Sequence, residues 1–357
     1  MNIRRPLPKY VSPLRGASED VVGRLGMGVI ALSMVAVTLR TTNGAEATFP
    51  TSLDRWSNVT AGEEIKLVFR LPRDVREGEI IGWSVAVDSA VIIRRETKVR
   101  NDGNGNPRLS LSFCLPEGEP RMIVPVSIRI SFDDRDVLAK QLWLYPSDPF
   151  RNPVPSFKAD QLVLFDPSQT TAARWREASL QFHEQPNAEA LSDLDDGVLV
   201  IGEGVSFREY RGLSRLIGQA ARRGVNVLCL APSEGTFVLA DADDTRNHEI
   251  ASLLLARADV LSSFDKHLDF LDWRGPSPVN GTTIQFASSS QQMSATFVLD
   301  GTGWPWLAAE YRGGGRVVIA CFHCIEHWDS GPAPRHALWH LLAETARPSV
   351  HQTAKSD

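Results

Sequence analysis

The chain has 357 residues, enough for two domains of ordinary size. Hydrophobic residues make up 43% and charged residues 23%, which are globular proportions and exclude bulk disorder. The net charge is −5, and the first 47 residues are basic, so the body is acidic and lacks the overall positive charge that general nucleic-acid binding requires.

Residues 1–47 read as an export signal. Arg4, Arg5, Lys9, Arg15 and Arg24 form a basic leader, 25–39 is an apolar run, and Ala45-Glu46-Ala47 is a small-x-small cleavage site. The run is shorter than the about twenty residues of a membrane span. Membrane contact is therefore expected only through this segment, as an N-terminal anchor if it is not cleaved. The body is expected in the periplasm, the cell envelope or outside the cell. Cys114, Cys229, Cys321 and Cys324 are too few for a disulfide scaffold, and Cys114 and Cys229 read as small buried hydrophobes within strands.

From 55 to 146 the hydrophobic period is two. Ile65, Leu67, Phe69 and Leu71 alternate with polar neighbours, as do Trp83, Val85 and Val87, then Leu109 to Leu115, Val124 to Phe132, and Leu142 with Leu144. Gly62-Glu63, Gly78-Glu79, the Asn101–Asn106 stretch and Asp133-Asp134 supply the turns. This predicts an all-β antiparallel sandwich, similar to an immunoglobulin-like module. Asp102 and its neighbouring Asn side chains offer calcium ligands, but Asn and Gly are also what a tight hairpin turn requires. Asn58-Val59-Thr60 and Asn280-Gly281-Thr282 match the glycosylation sequon. Residues 147–157, with Pro149, Pro153 and Pro155 just after Pro146, read as a stiff linker.

The second region, 158–348, reads as an α/β domain with a parallel sheet, followed by a disordered tail at 349–357. Its clearest part is 196–235: an all-apolar strand at 198–201, an amphipathic helix, then a second buried strand at 225–230. Ser206 and Glu209 form a capping box at which the helix is expected to start, and Gly224 is placed to end it. Residues 248–256 read as another helix. Strands are expected at 294–299, 306–310 and 317–321, with a Gly-rich turn at 312–316 and a final helix from about Pro334.

Several constellations bear on chemistry. Cys321, Cys324 and His327 suggest half of a zinc site, but strand alternation turns the two cysteines opposite ways, and no metal is expected. Gly202-Glu203-Gly204 lacks the spacing of a phosphate loop and reads as a tight turn. The acidic runs Asp193, Asp195, Asp196 and Asp241, Asp243, Asp244 read as solvated loops. Asp166, Glu203, Ser233, Glu234, His323 and Glu326 all fall at or just after strand C-termini, where open α/β sheets bind ligands. Asp166, Glu203, Ser233, Glu234 and His323 are the candidate ligand rim, and His323, Glu326, Glu203 and Glu234 are the candidate acid–base residues.

Residues 227–233, Val-Leu-Cys-Leu-Ala-Pro-Ser, and the late Phe322-His323 resemble the class I glutamine amidotransferase-like family, whose fold is flavodoxin-like. The resemblance covers about 158–347. The family carries a nucleophilic Cys on a tight elbow and a late His-x-Glu. Aligned on Val-Leu, the nucleophile position here is Ala231. Pro232 stands where an oxyanion N–H is needed, and Glu326 follows the His by three residues instead of two. The resemblance therefore implies a non-catalytic member without a cofactor. It also implies a binding or assembly role beside a β-sandwich, toward carbohydrate or an envelope protein. The alternatives are a glycoside or amide hydrolase using His323 with a nearby carboxylate, and a structural subunit of an envelope complex.

Overall fold

The computed structural model describes residues 49–116, 122–132, 135–146, 148–151, 161–238, 250–257, 260–261, 265, 282–287, 294–299 and 304–347. The expectations for the leader, Asp133-Asp134, 152–157, Asp241 to Asp244, Asn280 and the tail lie outside them. Among the described residues the chain is mostly β-sheet, in mixed and antiparallel sheets, with few helices.

The first strands are β1 (Thr51–Ser52), β2 (Asn58–Thr60), β3 (Glu64–Arg70), β4 (Ile80–Val87), β5 (Ala90–Lys98), β6 (Arg100–Asn101), β7 (Pro107–Cys114), β8 (Val124–Phe132) and β9 (Arg135–Tyr145). They form a four-stranded sheet, β1-β3-β7-β6, and a five-stranded sheet, β2-β9-β8-β4-β5. The pairs are antiparallel except β2 with β9, which is parallel. The alternation seen in the sequence sets the packing. Ile65, Leu67 and Phe69 of β3 and Leu109, Leu111 and Phe113 of β7 share one core with Trp83, Val85, Val126, Ile128 and Ile130 from the other sheet.

β5 is a strand without an apolar–polar alternation. It is an edge strand, and most of its side chains are exposed. Cys114 corrects the expectation of burial: it falls on the outward parity of β7 and is exposed. Asn58 is 1% exposed inside β2, which withholds its sequon from a glycosylating enzyme in the folded chain. Asp102 closes its own hairpin. Its Oδ1 accepts the N–H groups of Asn104 and Asn106, each at 2.9 Å, and Arg108 pairs with Oδ2 at 2.7 Å. These contacts, the Asn106 N–H first, hold its carboxyl down at about 2. The carboxylate is engaged by the turn, as the hairpin reading requires.

The second region contains β10 (Leu162–Phe165), α1 (Thr170–Glu177), β11 (His183–Glu184), a 3-10 turn (Glu189–Asp193), β12 (Val198–Ile201), α2 (Leu213–Arg223), β13 (Asn226–Leu230), β14 (Thr236–Val238), β15 (Ile250–Ala256), β16 (Thr282–Ala287), β17 (Ser294–Leu299), β18 (Trp306–Tyr311), β19 (Arg316–Ala320) and α3 (Ala333–Thr345). The main sheet runs β11-β10-β12-β13-β19-β18-β15, and β14-β16-β17 form a small separate sheet.

The expected parallel sheet is corrected to a mixed one. β11, β10, β12, β13 and β19 are parallel; β18 is antiparallel to β19, and β15 is antiparallel to β18. Only the short glycine turn separates β18 from β19, and a parallel return would need a crossover of a dozen residues or more. Residues 250–256 correct a second expectation. The apolar run Ser-Leu-Leu-Leu-Ala is a strand paired along β18, not a helix, because period alone does not distinguish the two in so short a run. Ser206 corrects a third. Its hydroxyl does accept the Glu209 N–H at 3.2 Å, but this closes a turn. Helix α2 begins only after Gly212, whose φ of 91° interrupts the helical path. Gly224 ends α2 with φ 112°, as expected.

Alternate strand residues serve two cores. Leu162, Leu164, Val198, Val200, Leu228, Leu230, Val318 and Ala320 face α1 and α3, while Leu199, Ile201, Val227, Cys229, Val317 and Ile319 face α2. Cys321 joins the second core and Cys324 the first, so the two thiols do point apart.

The β9 strand belongs to both halves. Leu142 and Leu144 enter the first-region core, and Tyr145 enters the core beneath α3. Tyr145 packs edge-on against His336 with ring centroids 4.8 Å apart, and His336 Nε2 lies 3.1 Å from the Pro146 carbonyl oxygen. Phe150 stacks on Trp328.

Candidate functional site

The C-terminal ends of β10, β12, β13 and β19 form one edge, and the sequence-predicted residues emerge there. They do not all converge. Asp166 follows β10 and is 4% exposed. Its Oδ2 accepts the Ala172 N–H at 2.9 Å and its Oδ1 accepts the Ser168 hydroxyl at 2.7 Å. It thus anchors the first turn of α1, where a carboxylate also complements the helix dipole.

Gly202 ends β12 hard against Asp166; a Cβ there would meet the carboxylate at 2.8–2.9 Å. This close approach lets Glu203 turn across the edge. Its N–H donates to Thr171 Oγ1 at 2.9 Å. Its carboxylate accepts the N–H groups of Ile325 at 2.7 Å and Glu326 at 2.9 Å, and Oε1 stands 3.2 Å from His323 Nδ1. Glu326 Oε2 stands 3.0 Å from the same nitrogen. Residues 324–329 form successive turns, so an acid three residues beyond His323 lies on the same face. The spacing that departs from the family pattern is therefore the spacing this backbone needs.

With both carboxylates at Nδ1, the neutral imidazole carries its proton there and presents its lone pair at Nε2. Among the described residues the ring's polar partners are these two carboxylates, with no hydroxyl or thiol. Such a ring can accept a proton or a ligand, and among the described residues no hydroxyl or thiol nucleophile pairs with it.

The remaining candidates lie on the next loop. Ser233 donates its hydroxyl to the Gly204 carbonyl at 2.7 Å. Glu234 pairs with Arg208 at 3.3 Å; both are largely exposed, and such pairs contribute little. Glu234 is thus the one acid–base candidate that the structure pairs away from His323. The amides of the Gly202–Gly204 turn also have partners inside the protein: the Gly202 N–H donates to Phe165 O and the Gly204 N–H to Ala231 O. They leave no phosphate cradle.

Ala231 is fully buried and has φ 31°, in the left-handed region that side chains rarely occupy. Its N–H donates to Ala320 O at 2.8 Å and its carbonyl accepts from Gly204, which pins the bend on both sides. Cys229 lies inside β13 and Cys324 in the opposite core. Burial pushes both thiols up, for Cys324 reinforced by the charge of Glu203, so neither forms a thiolate nucleophile near neutral pH.

Thr171 and the amides of Ile325 and Glu326 were not singled out from the sequence. Thr171 looks like any helix-start threonine, and backbone donors carry no residue signature.

No family model and no curated protein matches the chain. Among solved structures, it is similar to a Paenibacillus cycloisomaltooligosaccharide glucanotransferase complexed with cycloisomaltoheptaose, with 8% identity and a TM-score of 0.23 over 51% of this chain and 27% of that one. It is also similar to a Bacteroides ovatus GH5 xyloglucanase in complex with a XXXG heptasaccharide, with 9% identity and a TM-score of 0.21 over 51% of this chain and 45% of that one. The match thus spans less than half the length of either neighbour.

Proposed function

We propose that the second region is a non-catalytic, amidotransferase-like module with a flavodoxin-like parallel core. Together with the preceding immunoglobulin-like sandwich, it serves as an exported binding or assembly protein of the cell envelope. In the chain order of the parallel strands, β11-β10-β12-β13-β19 reads 2-1-3-4-5, the doubly wound order, and this supports the fold assignment. In that order the crevice between the ends of β10 and β12 is the switch point where ligands bind. Glu203 follows β12 at that point, and its carboxylate meets His323 from the end of β19.

The observation that carries the reading is Ala231. It occupies a strained bend at the end of β13, the geometry of a nucleophile elbow, with a methyl group in place of a nucleophile. Carbohydrate is the ligand class implied by the family resemblance. The N-terminal segment provides export and any membrane attachment.

The test is a glycan and metabolite binding screen on the full chain, run beside hydrolysis assays on chromogenic glycosides and amides. Saturable binding without turnover is the expected result. Turnover that disappears in His323→Asn would sink the non-catalytic reading and establish the hydrolase one, which the two carboxylates on His323 favour. Subcellular fractionation tests export independently; a cytoplasmic location would remove that part.

A further inference from the structure

Three side chains from two segments meet at one ring nitrogen. Glu203 Oε1 and Glu326 Oε2 lie 3.2 and 3.0 Å from His323 Nδ1, and one donor atom from each residue falls within 4.8 Å of the others. A single Nδ1–H serves one acceptor well, yet two face it. With the imidazole protonated, the trio still carries a net negative charge. Glu203 and His323 are each 7% exposed at the side chain, and among the described residues no Lys or Arg pairs with any of the three. Buried charge without a counter-charge is costly. A cation in place of the Nδ1 proton satisfies both carboxylates and the charge balance.

The distances fit that substitution. Metal–nitrogen and metal–oxygen bonds of about 2.0–2.2 Å place adjacent donors roughly 2.9–3.5 Å apart on an octahedral or tetrahedral edge. The two edges at Nδ1, 3.2 and 3.0 Å, fall in that interval. Glu203 is also held as a metal-bound carboxylate is held, by two backbone N–H groups that fix its orientation and leave it acceptor capacity. Glu326 is 63% exposed, so the open side of the site faces solvent, where water or a ligand group completes the coordination.

We infer that Glu203, His323 and Glu326 bind one divalent transition-metal ion of the zinc class, through two carboxylate oxygens and an imidazole nitrogen. The imidazole donor favours zinc over calcium or magnesium, which take all-oxygen sites. The inference stands apart from the carbohydrate reading and holds whether or not the crevice takes a sugar.

Isothermal titration of the chelator-stripped full chain with zinc chloride should give one ion per chain. Glu326→Ala, an exposed change that leaves the fold intact, should weaken the affinity at least about tenfold. His323→Ala should weaken it further. The absence of saturable binding, or an affinity unchanged in both variants, would overturn the site. Calcium binding as tightly as zinc would overturn the choice of metal. Titration with cobalt gives a further check: a thiolate charge-transfer band would place the ion on Cys324 and refute the ligand set.

Discussion

The carboxylate of Asp166 leaves room at position 202 for nothing larger than a hydrogen. It cannot retreat, because Ser168 and the Ala172 N–H hold its two oxygens. Gly202→Ala should therefore destabilise the protein by about 1–3 kcal/mol, read from the urea midpoint at constant slope. A midpoint equal to the parent would mean that Asp166 moves freely. Ala231 provides the complementary case. Ala231→Gly relieves the left-handed strain but loses a buried methyl and adds freedom to the unfolded chain, so the change should stay within about 1 kcal/mol of neutral. Ala231→Val adds branching at a φ that branched residues avoid and should lose 2 kcal/mol or more, about the cost of strain with overpacking. Equal unfolding midpoints for the two variants would refute the strain. The placement of His323 and Glu203 at a strand edge was legible from the sequence, because an apolar strand that ends in a polar residue marks that edge. Their mutual contact was not. It depends on a 120-residue separation closed by the sheet, and no local pattern encodes that.

At the scale of elements, the turn between β18 and β19 is built against the end of α2. A Cβ on Gly315 would lie 2.2 Å from the Ala221 carbonyl oxygen and 2.5 Å from that of Val225, and one on Gly313 would lie 1.7 Å from the Arg222 oxygen. These neighbours are backbone and cannot rotate away. Gly315→Ala should cost about 3 kcal/mol, the upper end of overpacking, seen as a lower thermal midpoint. A midpoint unchanged within a degree would show that the turn and α2 do not touch. The glycine run was readable as a turn, but the reason for Gly313 and Gly315 lies in a helix that precedes them by almost a hundred residues, while Gly314 takes a φ of 101°. The strongly patterned elements, β3, β7, β12, α2 and β13, were legible because period and burial agree in them. β5 and β15 were not, since among the described residues both lie on sheet edges, where one flank has no partner to impose a period. The expected start of α2 at Ser206 failed for a local reason: the Gly212 backbone breaks a helix that the side-chain pattern would have allowed.

At the scale of the whole molecule, His336 is the titrating group between the two halves. Burial pulls it down to about 4, against the hydrogen bond to Pro146 and the charge of Asp265, which act the other way; His340 and Arg335 add to the depression. The fold therefore favours the neutral ring, and the unfolded chain binds the extra proton between about 4 and the ordinary 6.5. The stabilisation is complete above that ordinary value and is lost as pH falls toward 4, by about 3 kcal/mol in total. Urea unfolding across pH 4–7 should show this slope, and His336→Gln, which keeps a donor for Pro146, should flatten it. A variant with the parental slope would assign the pH dependence elsewhere.

The contact from His336 to Pro146 spans 190 residues of sequence. At about 5–20 residues per second, a ribosome completes the first region some 10–40 s before it makes the helix that covers Tyr145. During that interval a large aromatic ring and a strand-end carbonyl face the surroundings unprotected. The nascent chain is thus expected to keep this seam between its two halves exposed until the last helix is made.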